Sequence, residues 1–411
     1  MDNIGSSYPK PNARWLLLLG VWLIYFSFGL LMTSMAPLVS PIMKDINISS
    51  TQMGSILGAW PFVYIFMAVP CGALIDRIGL RWSLLLASLI MGSSGLLRCI
   101  SLDYYMFIFA VAIFGVGGPL ISIGAPKLIA QWFDNKDRGF AMGVYISGPS
   151  LGSIVALSIT NSFLMPIYNQ QWRLVILSFS IFVLVAGFVW LFLSHSLKSN
   201  NTKNNVKVAN ILLQFKIFKN LLEIKNVQII LLISVCVFFF NHGLNNWLPE
   251  ILRLNGMSPS SAGLWASVPT ATGILGSLLI PRLAIKERQV LILSILIFCA
   301  MVSVFLLGTG LENILQLGLI LQGAARGSLM AIVMLVLIQT KGVDPKNMGA
   351  AGGLFFTFAE IGGVTGPLTL GILLDLSGNF DLGLNVMIFV TFMMFLLLFL
   401  LKQNNAFTKN Y

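Results

Sequence analysis

Long apolar runs, separated by short polar loops, make up most of this chain. A helix rises 1.5 Å per residue, so about 20 apolar residues cross the hydrocarbon core of a bilayer. The pattern predicts twelve membrane-spanning helices, called spans 1 to 12, at 14–39, 52–75, 82–100, 104–132, 139–164, 172–194, 228–252, 261–284, 289–309, 313–340, 349–374 and 382–402.

The composition leads to the same conclusion. Of 411 residues, 57% are apolar and 9% are charged, and the mean hydropathy is +0.89. A water-soluble protein has about a quarter of its residues charged. The sequence therefore predicts an all-α integral membrane protein embedded in a lipid bilayer. The net charge of +11 does not indicate a nucleic-acid partner, because the basic residues lie in short loops between apolar runs.

The distribution of lysine and arginine predicts the orientation. With the N-terminus in the cytoplasm, most of these residues fall on the cytoplasmic side, and the outer side holds Lys44, Arg98, Arg173 and Arg253. This bias predicts a multi-pass protein of the plasma membrane with both termini in the cytoplasm. Arg98 is expected at the outer interface, and Lys127, near the inner end of span 4, is expected to extend toward the headgroups.

A polar, basic stretch at 195–227 divides the chain into two six-span halves, 1–194 and 228–411. Part of it, ILLQFKIFKNLLEIK, is predicted to form an amphipathic helix at the cytoplasmic interface. The halves share spaced residues: Gly54 of the first half recurs as Gly263 of the second. Parallel duplication of this kind is typical of certain transporter folds.

The loop between spans 2 and 3 carries the most informative motif, Gly72-Ala-Leu-Ile-Asp-Arg-Ile-Gly-Leu-Arg81. It resembles the loop signature of the major facilitator superfamily, and the resemblance extends over the whole chain. It implies a twelve-span fold in which two pseudo-symmetric six-helix bundles surround a central cavity. In that family the loop latches the two halves together on the cytoplasmic side. The resemblance therefore implies a cytoplasmic gate made by Gly72, Asp76, Arg77, Gly79 and Arg81.

The residue types suit such a loop. Gly72 would let helices approach closely, and Gly79 would permit a tight turn. Asp76 could accept hydrogen bonds while Arg77 or Arg81 neutralises its charge. The corresponding loop of the second half has Ile285 where the acidic residue would stand, which leaves a second latch in doubt.

Spans 5 and 11 each carry a glycine–proline motif, made by Gly148, Pro149 and Gly152 in the first and by Gly366, Pro367 and Gly371 in the second. Small residues at this spacing let helix backbones pack closely. Similar motifs mark the rocking interface between halves in the superfamily, and ordinary close packing is the alternative.

Two features bear on the branch of the family. Val111 stands where the drug-antiporter branch usually carries an arginine, which disfavours proton-coupled drug export. The segment from Trp247-Leu-Pro249 to Ala262-Gly263 is similar to the cyanate and nitroimidazole permease branch.

Two ionisable residues are predicted at matching depth inside the bilayer, Arg326 in span 10 and Glu360 in span 11. An ionisable side chain there is costly unless it is paired or hydrated, so it is a functional candidate. Either Arg326 binds an anionic substrate and exchanges partners with Glu360, or the two form a structural ion pair.

Span 7 carries a polar group made by Asn241, His242 and Asn245, of which the two amides lie one helical turn apart. Such a face would suit a small polar solute, and hydrogen bonding between helices is the alternative. Tyr25 of span 1 either lines the cavity or packs. In the superfamily, spans 1, 4, 7 and 10 line the cavity.

The prediction from sequence is therefore a monomeric secondary active transporter. It would move a small anion or polar organic compound by alternating access, with a coupling proton or ion as a further candidate partner. The alternatives are an exporter of apolar or drug-like compounds and a membrane sensor that does not transport. No phosphate-binding loop, nucleophile elbow or metal-ligand cluster occurs in the sequence, which predicts no enzymatic activity, no cofactor and no metal site.

Overall fold

The computed structural model describes residues 11–196, 211–310, 312–344 and 346–404, and its regular structure in these ranges is entirely helical. The α-helices are α1 Pro11–Thr33, α2 Val39–Asp45, α3 Ser50–Ile100, α4 Tyr104–Trp132, α5 Asn135–Ile159, α6 Met165–Ile167, α7 Trp172–Leu193, α8 Ile211–Leu222, α9 Lys225–Leu254, α10 Pro259–Leu283, α11 Gln289–Gly308, α12 Glu312–Ile338, α13 Met348–Ser377 and α14 Asp381–Gln403. A π-helical turn, Thr160–Leu164, continues α5.

Helix α3 accounts for two of the predicted spans. Its 51 residues would extend about 76 Å as a straight helix, more than twice the hydrocarbon thickness. The helix is broken at Gly79, whose φ of 81° and ψ of 162° are not helical. Eleven helices of the described chain are long and apolar enough to cross a membrane, and with α3 crossing twice they confirm the twelve predicted spans.

The surface of these helices is apolar. Large side chains such as Phe192, Leu376 and Phe389 are 60–82% exposed, and others like them occur on most of the spanning helices. In water such a surface would drive aggregation, whereas hydrocarbon solvates it. This surface agrees with the multi-pass membrane protein that the composition predicts.

Polar residues fix where several spans begin. The Ser49 hydroxyl accepts from the Gln52 amide, and the Gln52 side chain accepts from the Ser49 amide, which caps the start of α3. Asp103 accepts from the Met106 amide at the start of α4, and Ser258 accepts from the Ser261 amide at the start of α10. These caps satisfy backbone N–H groups that the first helical turn leaves free.

The helices form two bundles. In the first half α1 packs on α5 and α7, and α3 packs on α4 and α7. In the second half α9 packs on α13 and α14, α10 on α12, and α11 on α12 and α14. The bundles meet mainly where α3 contacts α13 and where α5 contacts α10. We call the end where α1 begins and α14 ends the proximal end, and the opposite end the distal end.

The segment between the halves contains the predicted amphipathic helix, observed as α8. It packs against α9 and α13, with Leu221 buried and Lys216 and Lys219 exposed. The polar residues 197–210 that precede it lie outside the described residues.

Candidate functional site

A cavity of about 290 Å³ lies between the two bundles. The first bundle contributes Met32, Trp60, Ile146 and Ser150 to its wall, and the second contributes side chains from α9, α10 and α12. Helix α4, expected from the resemblance to line the cavity, supplies none of the described lining residues, whereas α3, α5 and α10 do. This lining differs from the expectation about span 4, whose glycines Gly115 and Gly118 approach α3 closely.

Arg326 reaches the cavity from α12 and is the one formally charged residue among the described lining residues. Its guanidinium Nη1 donates to Thr270 Oγ1 of α10 at 3.3 Å. The two helices touch here because glycines flank the arginine: a Cβ at Gly323 would lie 2.4 Å from Pro269 O, and one at Gly327 would lie 2.1 Å from Gly273 O. The side chain is only partly exposed, and it leaves hydrogen-bond donors free for a ligand.

Asn241, His242 and Asn245 of α9 line the same cavity, as the spacing on span 7 suggested. The His242 ring stacks on Phe238, with ring centroids 5.4 Å apart, and its centroid lies 5.6 Å from that of Trp60 in the first bundle. Asn241 Oδ1 is buried without a hydrogen-bond partner among the described residues. A buried amide oxygen of this kind is a ready acceptor for a ligand hydroxyl.

Glu360 is not paired with Arg326. No ion pair within 4.0 Å joins them in the described chain, so this conformation does not contain the ion pair that was one of the two alternatives from sequence. The exchange of partners stays a prediction. Arg326 turns toward Thr270 on α10, while Glu360 lies near α9. Both Glu360 and His242 lie close to Gly363 of α13, where an added Cβ would be 2.5 Å from Glu360 Oε2 and 3.4 Å from His242 Nδ1. Glu360 is 5% exposed and does not line the cavity, and Oε2 has no hydrogen-bond partner among the described residues.

Tyr25 is a packing residue in this conformation. Its ring stacks on Tyr145 of α5, with centroids 4.4 Å apart and planes 7° apart, and it does not belong to the described cavity lining. Stacked aromatic rings of this kind stabilise helix contacts. The contact joins α1 to α5 inside the first bundle.

The loop motif 72–81 lies at the proximal end, inside the first bundle. Gly79 adopts the left-handed φ that its turn requires. Asp76 pairs with Lys127 of α4, not with Arg77 or Arg81 as expected. The extension of Lys127 toward the headgroups stays a prediction. Arg77 is exposed.

Arg81 and Gly72 also differ from expectation. The Arg81 guanidinium lies over the Trp82 ring and donates to Leu191 O of α7, 3.4 Å away. A Cβ at Gly72 would meet nothing within 4 Å, so the close helix approach expected there is absent in this conformation.

Comparisons with known proteins identify the family. The model of the Major Facilitator Superfamily matches residues 21–283 and 230–410, which is nearly the whole chain. This chain belongs to the Major Facilitator Superfamily. It is a membrane transporter protein and not an enzyme, as the sequence predicted.

Two curated relatives and one solved structure are similar to this chain. It is 23% identical to a probable galactarate/D-glucarate transporter of Escherichia coli (strain K12), over 93% of this chain and 92% of that one. It is 26% identical to a quinolone resistance transporter of Acinetobacter baumannii, over 83% and 82%. Its fold matches a bacterial homologue of the human lysosomal transporter Spinster, solved inward-facing and occupied, with a TM-score of 0.76, 15% identity and coverage of 96% and 98%.

The glycine–proline motifs of the transporter pack mostly within each bundle. In α5, a Cβ at Gly148 would lie 3.1 Å from Phe26 N and one at Gly152 2.1 Å from Phe26 O, while Pro149 O faces Gly29 of α1. In α13, Gly366 packs on Phe239 of α9. Pro367 and Gly371 are different, because they also contact α3 of the other bundle.

The two bundles touch backbone to backbone at the distal end. A Cβ at Gly54 would lie 2.6 Å from Pro367 O, and one at Gly371 would lie 2.3 Å from Ser50 O. Gly263 of α10 approaches Leu157 O of α5 in the same way, at 2.5 Å. Sequence reasoning assigned no role to Gly54 and Gly263, although their recurrence at equivalent positions of the two halves was the signal that could have found them.

Polar contacts reinforce this distal closure, and sequence reasoning missed them. Asp375 of α13 accepts from the backbone amides of Ser50 and Thr51, at 2.9 and 2.7 Å, so a carboxylate of one bundle caps a helix of the other. Ser40 donates to Glu250, 3.0 Å away across the same boundary.

Arg98 lies in the last turn of α3, and its side chain is buried inside the first bundle, while its expected position at the outer interface stays a prediction. It is fully buried, donates to Leu31 O at 3.2 Å and lies over the Phe114 ring. Its Nε and Nη2 have no hydrogen-bond partner among the described residues. The guanidinium is thus held by α1 and α4 of its own bundle.

Proposed function

We propose that this protein is a secondary transporter that moves a small organic anion by alternating access, with Arg326 binding the anion. The observation that carries the proposal is an arginine that enters a cavity between the two bundles with no acidic partner within 4.0 Å in the described chain. A guanidinium there presents several N–H donors in a fork that matches a carboxylate. The name of the Escherichia coli relative, which refers to two sugar diacids, supports the same substrate class.

The geometry also suits alternating access. The distal contacts close the space between the bundles, and they include the approach of Gly58 of α3 to Val364 of α13. Trp60 follows two residues later on α3 and lines the cavity. At the proximal end, a Cβ on Gly139 of α5 or Gly353 of α13 would meet nothing within 4 Å. This asymmetry supports a conformation that opens toward the proximal end, and the bias of lysine and arginine toward that end supports a cytoplasmic position for it. We propose the plasma membrane as the location.

Glu360 is the candidate site for a coupling proton or cation. A carboxylate buried in the membrane without a partner is costly unless a proton or another cation joins it. Glu360 borders His242, which lines the cavity, so ligand binding and the state of this carboxylate can influence each other. In this proposal Arg326 and Glu360 act separately in the present conformation and exchange partners as the bundles move.

The test is uptake of ¹⁴C-labelled D-gluconate and D-glucarate into proteoliposomes containing the monomeric, purified chain. Arg326→Gln is expected to reduce uptake at least tenfold, because the only formal charge in the described lining is lost. Arg288→Gln, the same change at an exposed loop position, serves as the matched control and should leave uptake unchanged. Full uptake by Arg326→Gln would reject the proposed role of the arginine.

Glu360→Gln separates coupling from transport. If Glu360 holds the coupling ion, this variant should lose accumulation driven by an ion gradient while retaining exchange of labelled for unlabelled substrate. Equal loss of both activities would reject a specific role in coupling.

The runner-up is an exporter of apolar or drug-like compounds. The quinolone resistance relative favours it, as does the apolar part of the cavity wall, which includes Ile146, Ile274 and Met330. Uptake of a labelled quinolone, together with no uptake of either sugar acid, would support this alternative. Binding of a sugar acid without any uptake would instead support a sensor on the same fold.

A further inference from the structure

The cavity contains one positive charge for its ligand. Apart from Arg326, the polar side chains of the described lining are neutral amides and hydroxyls and one imidazole, from Ser150, Asn241, His242, Asn245, Asn246, Thr270 and Ser277. The rest of the described lining is glycine, proline or apolar. A single guanidinium can bind one carboxylate through two parallel hydrogen bonds.

A second carboxylate would enter this cavity without a cation to receive it. Taking a charge out of water is costly unless a partner compensates for it. Near the lining, Glu360 is buried and close to the same glycine, Gly363, as His242, and as an acid it supplies no positive charge for a ligand anion in either protonation state. The site therefore penalises a dianion relative to a monoanion of the same size.

The neutral groups suit hydroxyls. Asn241 and Asn245 lie on one face of α9, and Asn241 Oδ1 is buried and unpartnered in the described chain. Ser150 and Ser277 add hydroxyls from α5 and α10. A volume of about 290 Å³ is at the lower end of small-molecule sites, so it limits the ligand to one compact solute.

From these observations we propose that the substrate is a compact polyhydroxy acid with one carboxylate, and that the site selects monoanions over dianions. This inference rests on the proposed function, because it describes the ligand of the same cavity. The carboxylate binds Arg326, and the hydroxyl groups bind the amides of α9.

The experiment compares two acids with the same six-carbon skeleton, D-gluconate with one carboxylate and D-glucarate with two. The unlabelled acids compete for uptake of ¹⁴C-labelled D-gluconate into proteoliposomes. The assay is run at pH 8, where both acids are fully ionised and an ordinary imidazole, with a pKa of about 6.5, is neutral. The concentration of D-gluconate that halves uptake is expected to be at least tenfold lower than the concentration of D-glucarate that does so.

A gain of charge tests the same inference in the opposite direction. Ser277→Lys places a second cation in the cavity wall and should improve competition by D-glucarate relative to D-gluconate about tenfold. Ser277→Gln, which lengthens the side chain without a charge, is the control and should leave the ratio unchanged.

The outcomes are distinct. D-glucarate competing as well as D-gluconate in the wild type, or better, would overturn the charge selection while leaving the anion transporter intact. If neither acid competes and neither is taken up, the anion site is rejected, and the inference falls with it.

Discussion

The two ends of the transporter differ in how the bundles meet. At the distal end, Gly54 and Gly371 let the backbones of α3 and α13 touch, and Asp375 caps the start of α3. At the proximal end, a Cβ added at Gly139 of α5 or Gly353 of α13 would meet no atom within 4 Å. Close glycine contacts therefore mark the end that is closed in this conformation. If the protein works by alternating access, as proposed, those contacts must separate and comparable contacts must form at the proximal end.

The largest effect on uptake and on closure of the distal end is expected from a side chain placed in the distal contact. Gly371→Val would set a branched side chain against Ser50 O, where even a Cβ would lie 2.3 Å away. Overpacking of this kind costs about 1–3 kcal/mol. We expect at least a tenfold loss of uptake, measured in proteoliposomes, and increased labelling of a cysteine introduced at Thr51.

Gly353→Ala is the matched control for that change, because an added Cβ there meets nothing within 4 Å. It should leave labelling at residue 51 unchanged. Unaltered labelling in Gly371→Val would contradict the view that this contact closes the distal end.

A smaller effect is expected from the carboxylate cap. Asp375→Asn keeps the shape of the side chain and removes the charge that faces the start of α3. Caps and helix-end charges contribute about 1 kcal/mol, so the closed population should fall roughly fivefold relative to the open one. The same labelling assay measures it. Asp381→Asn, at an exposed acidic residue near the start of α14, should have no effect.

A still smaller effect is expected from Ser40→Ala, which removes one hydrogen bond to Glu250 across the bundles. The remaining partner, Arg253, keeps Glu250 paired, with 2.6 Å between Nη2 and Oε1. The closed conformation is expected to lose about 1 kcal/mol or less of stability relative to the open one. An effect as large as that of Gly371→Val would show that polar contacts, and not backbone approach, dominate the closure.

The smallest effect is expected at the proximal end. Lys127→Gln removes the ion pair with Asp76, in which both side chains are about two-fifths exposed. Exposed pairs contribute about 0–1 kcal/mol and weaken with salt. Thermal stability in detergent should change slightly, and distal labelling should not change. A large shift in distal labelling would show that this loop controls the opposite end through α3.

Much of the fold could be predicted from sequence, because the bilayer restricts a spanning chain to helices of a known length. The twelve apolar runs gave the spans, including the two within α3 that Gly79 separates. Gly79 itself was identifiable, since a turn at φ 81° favours glycine.

The contacts between helices were harder to predict. The burial of Arg98 against Leu31 and Phe114 was not predicted, since apolar periodicity does not show which face of a helix points inward when all faces are apolar. The partners of Asp76 and Arg326 were also missed. Which partner each side chain meets depends on how the neighbouring helix is rotated about its axis, and the local sequence does not determine that rotation.

The cavity was predicted in part. Arg326, Asn241, His242 and Asn245 were identifiable because polar side chains in a membrane helix need a reason to be there. Trp60 and Thr270 were not, because an aromatic residue or a threonine in a span is usually a packing residue. Their role depends on the approach of the two bundles.

The most direct test of the account is the distance between spin labels at Leu102 and Asn379, exposed distal positions on opposite bundles, in a variant whose four cysteines are replaced. Without ligand, one short distance between the two labels is expected. Saturating D-gluconate should add a longer one, and Arg326→Gln should abolish that response. A distance that stays the same when bound D-gluconate is demonstrated would contradict an anion-driven exchange between the two ends.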